Sequence, residues 1–343
     1  MGVMATAQLA PEPPGPTIVR PPRETTASWP LIDRVGYWLC WATGIGLCAI
    51  AAAIVLYMFV KGISELRLGL LVESPAPSLQ QNKSGGFLDP IVGTFVITAV
   101  AIVIAAPIGV ALAVWLSEHR NPPWLARAVE SAIETIGGIP SVVLAIFGLI
   151  VFSRSFLGFL SHSANNGTVT GQSFLTAGIV MAVLALPLIV GATREALAQV
   201  PGRMREASYA LGKTRATTIR RVLLPSIRPG MASGVVLGMG RIIGDTAIVI
   251  FVLGSAKYKN EGVGSIPLIG TLRGTGATLT SYVYNNSPAG EGNAPQKAYA
   301  AAFVLLMIVL ALNALVTRLT RGGGRSRGRG MALSLAGRMP WSG

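Results

Sequence analysis

A chain of 343 residues, 51% of them hydrophobic and only 12% charged, departs far from a soluble domain, where about a quarter of residues carry charge. The net charge of +14 invites a nucleic-acid reading, but the basic residues fall between long apolar runs, as they do in the loops of a membrane protein. Two cysteines and two histidines leave no room for a disulfide framework or a visible metal-ligand cluster.

Residues 1–34 are rich in proline and polar side chains and lack the layout of a signal peptide, so they read as a disordered cytoplasmic tail. The first apolar block, 35–60, opens with the aromatic anchors Tyr37, Trp38 and Trp41. Cys40 and Cys48 lie in this block about 12 Å apart along a helix, too far for a disulfide, and are expected to be small apolar fillers. Five further blocks follow at 91–117, 131–153, 174–193, 230–254 and 298–317. Each is near the roughly 20 residues that cross about 30 Å of hydrocarbon as a helix. Barrel strands are excluded, because these runs are long and apolar on all sides rather than short and alternating. The expected fold is therefore an all-α integral membrane protein with six transmembrane helices. Pro107, Pro140 and Pro187 are expected to kink spans two, three and four. Glu134, near the cytoplasmic end of the third span, reads as an interfacial charge.

An N-in, C-in orientation places 19 of the 28 basic residues inside and 8 outside, with Arg241 left within the fifth block. His119 and His162 then fall on opposite sides of the membrane. The segment 255–297 faces outward and is expected to hold a short surface helix. Residues 321–343, with RGGGRSRGRG, form a basic cytoplasmic tail; the run resembles an RNA-binding segment, but an orientation signal is the simpler reading. The expected domains are thus the tail 1–34, a transmembrane domain 35–320 containing the cytoplasmic loop 194–229, and the tail 321–343.

The loop 194–229 holds eight basic and two acidic residues and contains Gly212-Lys213-Thr214, the ending of a phosphate-binding P-loop. A P-loop needs a glycine at 207 and a preceding strand. Position 207 is alanine, and Leu197, Val200, Met204, Ala207, Ser208 and Leu211 recur at helical spacing. The segment reads instead as a helix ending at Leu211, a left-handed turn at Gly212, and a second helix carrying Ile219, Val222 and Leu223 inward until Pro225 and Pro229 stop it.

Glu206, Ala207, Ser208, Gly212, Val222, Leu224 and Pro225 resemble the E-A-A-x3-G-x9-I-x-L-P motif of bacterial ABC-importer permeases, with Ser for the second Ala and Val for Ile. The resemblance implies the type I importer permease fold. It also implies that this loop docks on separate ATP-hydrolysing subunits, with Glu206 as a charged anchor and Gly212 setting the exit turn.

Within the fifth span, GMGRIIGDTAIV places Arg241 at a depth where a charge is costly and normally faces a cavity or a partner. Asp245 follows four residues later, on the same face of a continuous helix, so the two are expected to pair. Arg241 offers a planar fork to phosphate oxygens, and a nearby carboxylate can accept the P–OH that sulfate lacks. A structural ion pair between two permease subunits is the plainer alternative.

Arg241-Ile242-Ile243-Gly244-Asp245-Thr246-Ala247 is similar to the R-A-I-G-E-T-A motif of the A-type permease of phosphate-specific (Pst) ABC importers, and the resemblance extends over roughly 85–320. It implies a substrate path through Arg241, Asp245 and Thr246, and a phosphate import function with no catalytic residue, metal or cofactor in this chain. By the same resemblance, ATP would be used by two partner ATPase subunits. The other implied partners are a C-type permease, an extracytoplasmic phosphate-binding protein and membrane lipid, with no nucleic acid; the location is a bacterial cytoplasmic (inner) membrane. The C-type subunit carries a related motif and stays open as the alternative, as does a permease for another oxyanion. A membrane-embedded enzyme using Asp245 and Glu134 is the alternative of another class, and a secondary transporter would need internal repeats that are not evident.

Overall fold

The computed structural model describes residues 30–63, 67–73, 85–119, 121–161, 170–254, 272–288, 290 and 294–336, with side chains to 318 in the last helix. Most of the expected 1–34 tail, His162 and much of the 255–297 segment lie outside the described residues. The chain divides into two compact units, residues 1–54 and 55–343.

The elements in chain order are α1 (Leu31–Gly62), α2 (Leu68–Val72), α3 (Leu88–Glu118), α4 (Pro123–Gly138), α5 (Ser141–Phe152), α6 (Phe174–Ala198), α7 (Gly202–Ala210), α8 (Arg215–Ser226), α9 (Arg228–Gly244), α10 (Leu279–Asn286) and α11 (Pro295–Ala336). Among the described residues four helices, α1, α3, α6 and the Pro295–Arg318 part of α11, are long and apolar enough to cross a membrane singly. Two bent pairs, α4 with α5 and α8 with α9, bring the number to six if each pair is one span.

In α1, Tyr37 meets Trp38 edge-on at 5.9 Å between ring centroids, while Cys40 and Cys48 are both exposed rather than filling gaps in this chain. Past residue 54 the same helix is rimmed by aromatics, with Tyr57 edge-on to Tyr299 and Phe59 beside Phe303.

The third span is broken rather than kinked. α4 and α5 meet at 109° because the chain turns extended at Ile139, just ahead of Pro140. Proline disfavours helical geometry in the residue before it, and the preceding Gly137 and Gly138 hold the helix weakly. Pro107 and Pro187, by contrast, lie inside the unbroken helices α3 and α6. Glu134 is exposed on α4.

α3 and α6 pack along their length, and α9 packs on α6. Small residues permit this approach, as they do generally between helices in lipid. Ala101 and Ala105 of α3 and Ala177 and Ala185 of α6 are wholly buried. A side chain at Gly178 would stand 2.4 Å from Val100, and one at Gly109 would stand 2.7 Å from Ile189. Ile97, Phe174, Met181 and Ile189 fill the layer between these backbones, joined by Ile242 of α9 and by Ile248 and Val252 beyond it.

On the far side of the core, α10 begins with a capping box in which Thr278 and Ser281 satisfy each other's backbone N–H groups. A short helix is thus present in the 255–297 segment, but it is not the surface helix expected there: Leu279, Thr280, Ser281 and Asn286 are buried, and it packs on α3 and α11. It docks on α3 where Thr94 Oγ1 accepts from the Leu279 N–H at 3.0 Å. α11 runs to Ala336, into the stretch assigned to the basic tail; no proline interrupts it before Pro340.

Candidate functional site

The loop between α6 and α9 forms two short helices joined by a rigid turn. α7 starts after Pro201 and ends in a Schellman arrangement. There the Lys213 N–H donates to the Ser208 carbonyl at 3.2 Å and the Gly212 N–H to the Tyr209 carbonyl at 2.9 Å. Gly212 has φ +71°, the left-handed conformation that a Cβ disfavours. Thr214 caps α8 by accepting from the Thr217 N–H. Ser208 and Thr218, both buried, hydrogen-bond to each other at 2.8 Å and tie α7 to α8. The serine that replaces the motif's second alanine therefore has a structural task.

Glu206 and Ala207 are exposed on α7, whereas Val222, Leu224 and Pro225 are half-buried on α8. Ile219 and Leu223 turn inward against Leu197, Val200 and Ile227. The single apolar face expected over 197–211 does not persist. Pro201 starts a new helix, so Leu197 and Val200 stay in the core while Met204, Ala207 and Leu211 face out, Leu211 being 77% exposed. α8 also passes Pro225 instead of stopping there. It widens over Ile219–Leu223, where the Leu224 N–H reaches the Ile219 carbonyl, and the 68° bend comes at Ile227. Met204, Ala207, Leu211, Thr217 and Val222 line an apolar groove of about 320 Å³ between the two helices.

Arg205 stands outside the residues that the sequence motifs single out. Its Nε and Nη2 donate to Glu118 Oε1 of α3 at 3.2 and 3.0 Å, and its Nη1 and Nη2 donate to the Val200 and Leu197 carbonyls at 3.1 and 3.2 Å. The available signal was Glu118 itself, a carboxylate at the C-terminus of a helix, where negative charge calls for a cation. A second ion pair joins Arg194 of α6 to Glu130 of α4.

The fifth span departs from expectation. α9 ends at Gly244, and Asp245 takes an extended conformation. Arg241 and Asp245 therefore do not lie on one continuous helix, and no ion pair joins them. Asp245 is 6% exposed, and its Oδ1 accepts from the Ile248 N–H at 2.9 Å. That bond caps the helical turn leading into Val249–Gly254. The carboxylate expected beside the guanidinium thus serves the backbone, while Arg241 is exposed and Thr246 half-buried next to the break. Gly234 and Gly238 face α6 closely, but among the described residues nothing lies within 4 Å of where a side chain at Gly240 or Gly244 would begin. Irregular backbone at membrane depth is tolerated where protein covers it or water fills a cavity beside it.

A broken-span helical fold carrying an ordered basic loop between its fourth and fifth apolar segments is that of an importer permease. Residues 105–322 match the family described as binding-protein-dependent transport system inner membrane component, and the chain belongs to that family. It is 35% identical over 271 residues to the probable ABC transporter permease protein YqgH of Bacillus subtilis (strain 168), covering 75% of this chain and 84% of that one. It is 32% identical over 243 residues to the phosphate transport system permease protein PstC of Xylella fastidiosa (strain 9a5c), covering 67% and 70%. In fold it is similar to a chain of a bacterial alginate ABC transporter crystallised with its pentasaccharide-bound periplasmic protein. That likeness has a TM-score of 0.59 and 17% identity over 85% of this chain and 96% of the other.

Proposed function

We propose that this chain is a transmembrane permease subunit of an ATP-driven inorganic phosphate importer, and that it is the C-type subunit. The observation that carries the reading is its similarity to PstC over most of the permease domain. This turns the sequence-based assignment from the A-type to the C-type alternative. The expected partner permease changes with it, from a C-type chain to a homologous A-type one.

In this reading the two permeases form the translocation path, and this chain contributes Arg241 and Thr246 at the break in its fifth span. Arg241 keeps its charge uncompensated by Asp245 and presents it on an exposed face, which supports a role toward an oxyanion. Asp245 acts on the path indirectly, by holding the break open through its backbone cap. The chain is a permease subunit and not an enzyme. It needs no cofactor of its own, and ATP is hydrolysed by two ATPase subunits docked on the loop 194–229 through Glu206, Ala207 and the groove behind them. Ser208, Gly212, Val222, Leu224 and Pro225 hold that loop in shape. A phosphate-binding protein delivers substrate from outside, and the complex sits in a bacterial cytoplasmic membrane.

Labelled phosphate uptake tests this in cells lacking their own C-type permease and supplied with the native partner subunits. The chain is expected to restore uptake, and Arg241→Gln, present at equal level, is expected to abolish most of it. Uptake by both would keep the permease and remove Arg241 from the path. Restoration of sulfate or another oxyanion in place of phosphate would overturn the substrate.

A further inference from the structure

Glu118 ends α3 at the pole where helix carbonyls already concentrate negative charge, and its side chain is only 7% exposed. A carboxylate is unfavourable there unless a cation covers it. Arg205 supplies that cation from the first turn of α7. The same guanidinium also covers the Leu197 and Val200 carbonyls at the C-terminal end of α6. Four hydrogen bonds therefore converge on one planar group, using four of its five N–H donors. They join the cytoplasmic loop to α3 and α6, the two helices that pack along their length in the core.

Stability alone does not call for this arrangement. A partly buried ion pair is on balance a weak stabiliser, and apolar contacts among Leu197, Val200, Ile219, Leu223 and Ile227 already seat the loop. Apolar surfaces can slide, however, whereas a fork held on three acceptor atoms, Glu118 Oε1 and the Leu197 and Val200 carbonyl oxygens, fixes both position and orientation.

We propose that Arg205 is a positioning residue, a strut that carries displacement of α7 into α3 and α6 together. Movement imposed on the loop then becomes movement of both spans instead of bending within the loop. The inference rests on the proposed ATPase docking at 194–229.

The test uses the full complex, with partner permease, ATPase and binding protein, in proteoliposomes. In Arg205→Gln and Glu118→Gln the ATPase is expected to co-purify in unchanged ratio and to hydrolyse ATP. Labelled phosphate imported per ATP is expected to fall roughly five- to tenfold or more, the range of an ordinary coupling free energy. Arg205→Lys, which keeps the charge without the fork, recovers part of the loss. A second readout is independent of substrate. Spin labels at Ile108→Cys and at exposed Arg203→Cys of α7, with Cys40 and Cys48 replaced by serine, are expected to give a narrow distance distribution that broadens in Arg205→Gln. If Arg205→Gln does not fold, Glu118→Gln, which leaves both backbone contacts intact, is used for both readouts. Unchanged import per ATP in both variants, or an unchanged distribution, overturns the strut. Loss of the ATPase from the variant complex also overturns it, by assigning Arg205 to docking. A broadened distribution in a variant whose wild type imports no phosphate overturns the phosphate reading and leaves the strut in place.

Discussion

Asp245 shows how one side chain can hold a span apart. Its carboxylate accepts the Ile248 N–H at 2.9 Å, an amide otherwise left without a helical partner just past the end of α9. Removing such a cap costs about 0.5–2 kcal/mol, whereas asparagine keeps a side-chain acceptor. Asp245→Ala is therefore expected to lower the denaturation midpoint of the purified subunit and to reduce phosphate uptake, and Asp245→Asn to retain most of both. Equal loss in the two variants would mean that the charge itself, not the cap, is what the site needs. Arg241 lies on the other side of this break. Its cost at membrane depth is not offset by Asp245, which is why the proposed function assigns the oxyanion contact to it.

Among the elements, α3, α6 and α9 divide their glycines between two uses. Gly109, Gly178, Gly234 and Gly238 stand where a neighbouring helix would meet any added carbon. Gly178→Ala puts a methyl 2.4 Å from Val100 and is expected to destabilise the purified subunit by about 1–3 kcal/mol, the usual cost of overpacking. Gly240 and Gly244 meet nothing within 4 Å among the described residues, so Gly240→Ala is expected to leave the isolated subunit's denaturation midpoint unchanged and to act only in the assembled complex. Thermal melts of both variants, with and without the partner permease, separate the cases. A large shift for Gly240→Ala in the isolated subunit would show that the open glycine face packs within this chain. The loop helices follow the same economy. α7 and α8 are too short to be stable alone, and they are held by the Gly212 turn, the Ser208–Thr218 bond and Arg205.

For the whole molecule, the uneven distribution of basic residues and the order of the spans predict one orientation. With the native cysteines replaced, a cysteine at exposed Arg203 is expected to react with an impermeant thiol reagent only from the cytoplasmic side. One at exposed Ser155 is expected to react only from outside. The reverse pattern would invert the membrane orientation and move the loop 194–229 away from any ATPase. That loop is where the proposed function enters the chain, and α3 and α6 are where its movement would have to go.

The sequence by itself determined the class of protein and the placement of its apolar segments, because the length of helix needed to cross lipid is a local property. It also determined the turn at Gly212, since one left-handed residue between two helical patterns is legible without a tertiary partner. Tertiary structure decided which charges meet. Arg241 and Asp245 are four residues apart and do not pair, because the helix between them ends and the carboxylate satisfies an amide instead. Glu118 and Arg205 are 87 residues apart and do pair, because a helix end at one and a helix start at the other fall at the same level of the packed core. Periodicity within a segment carries no information about such encounters. They follow from which backbone groups a helix terminus leaves unsatisfied and which side chain the fold brings to them.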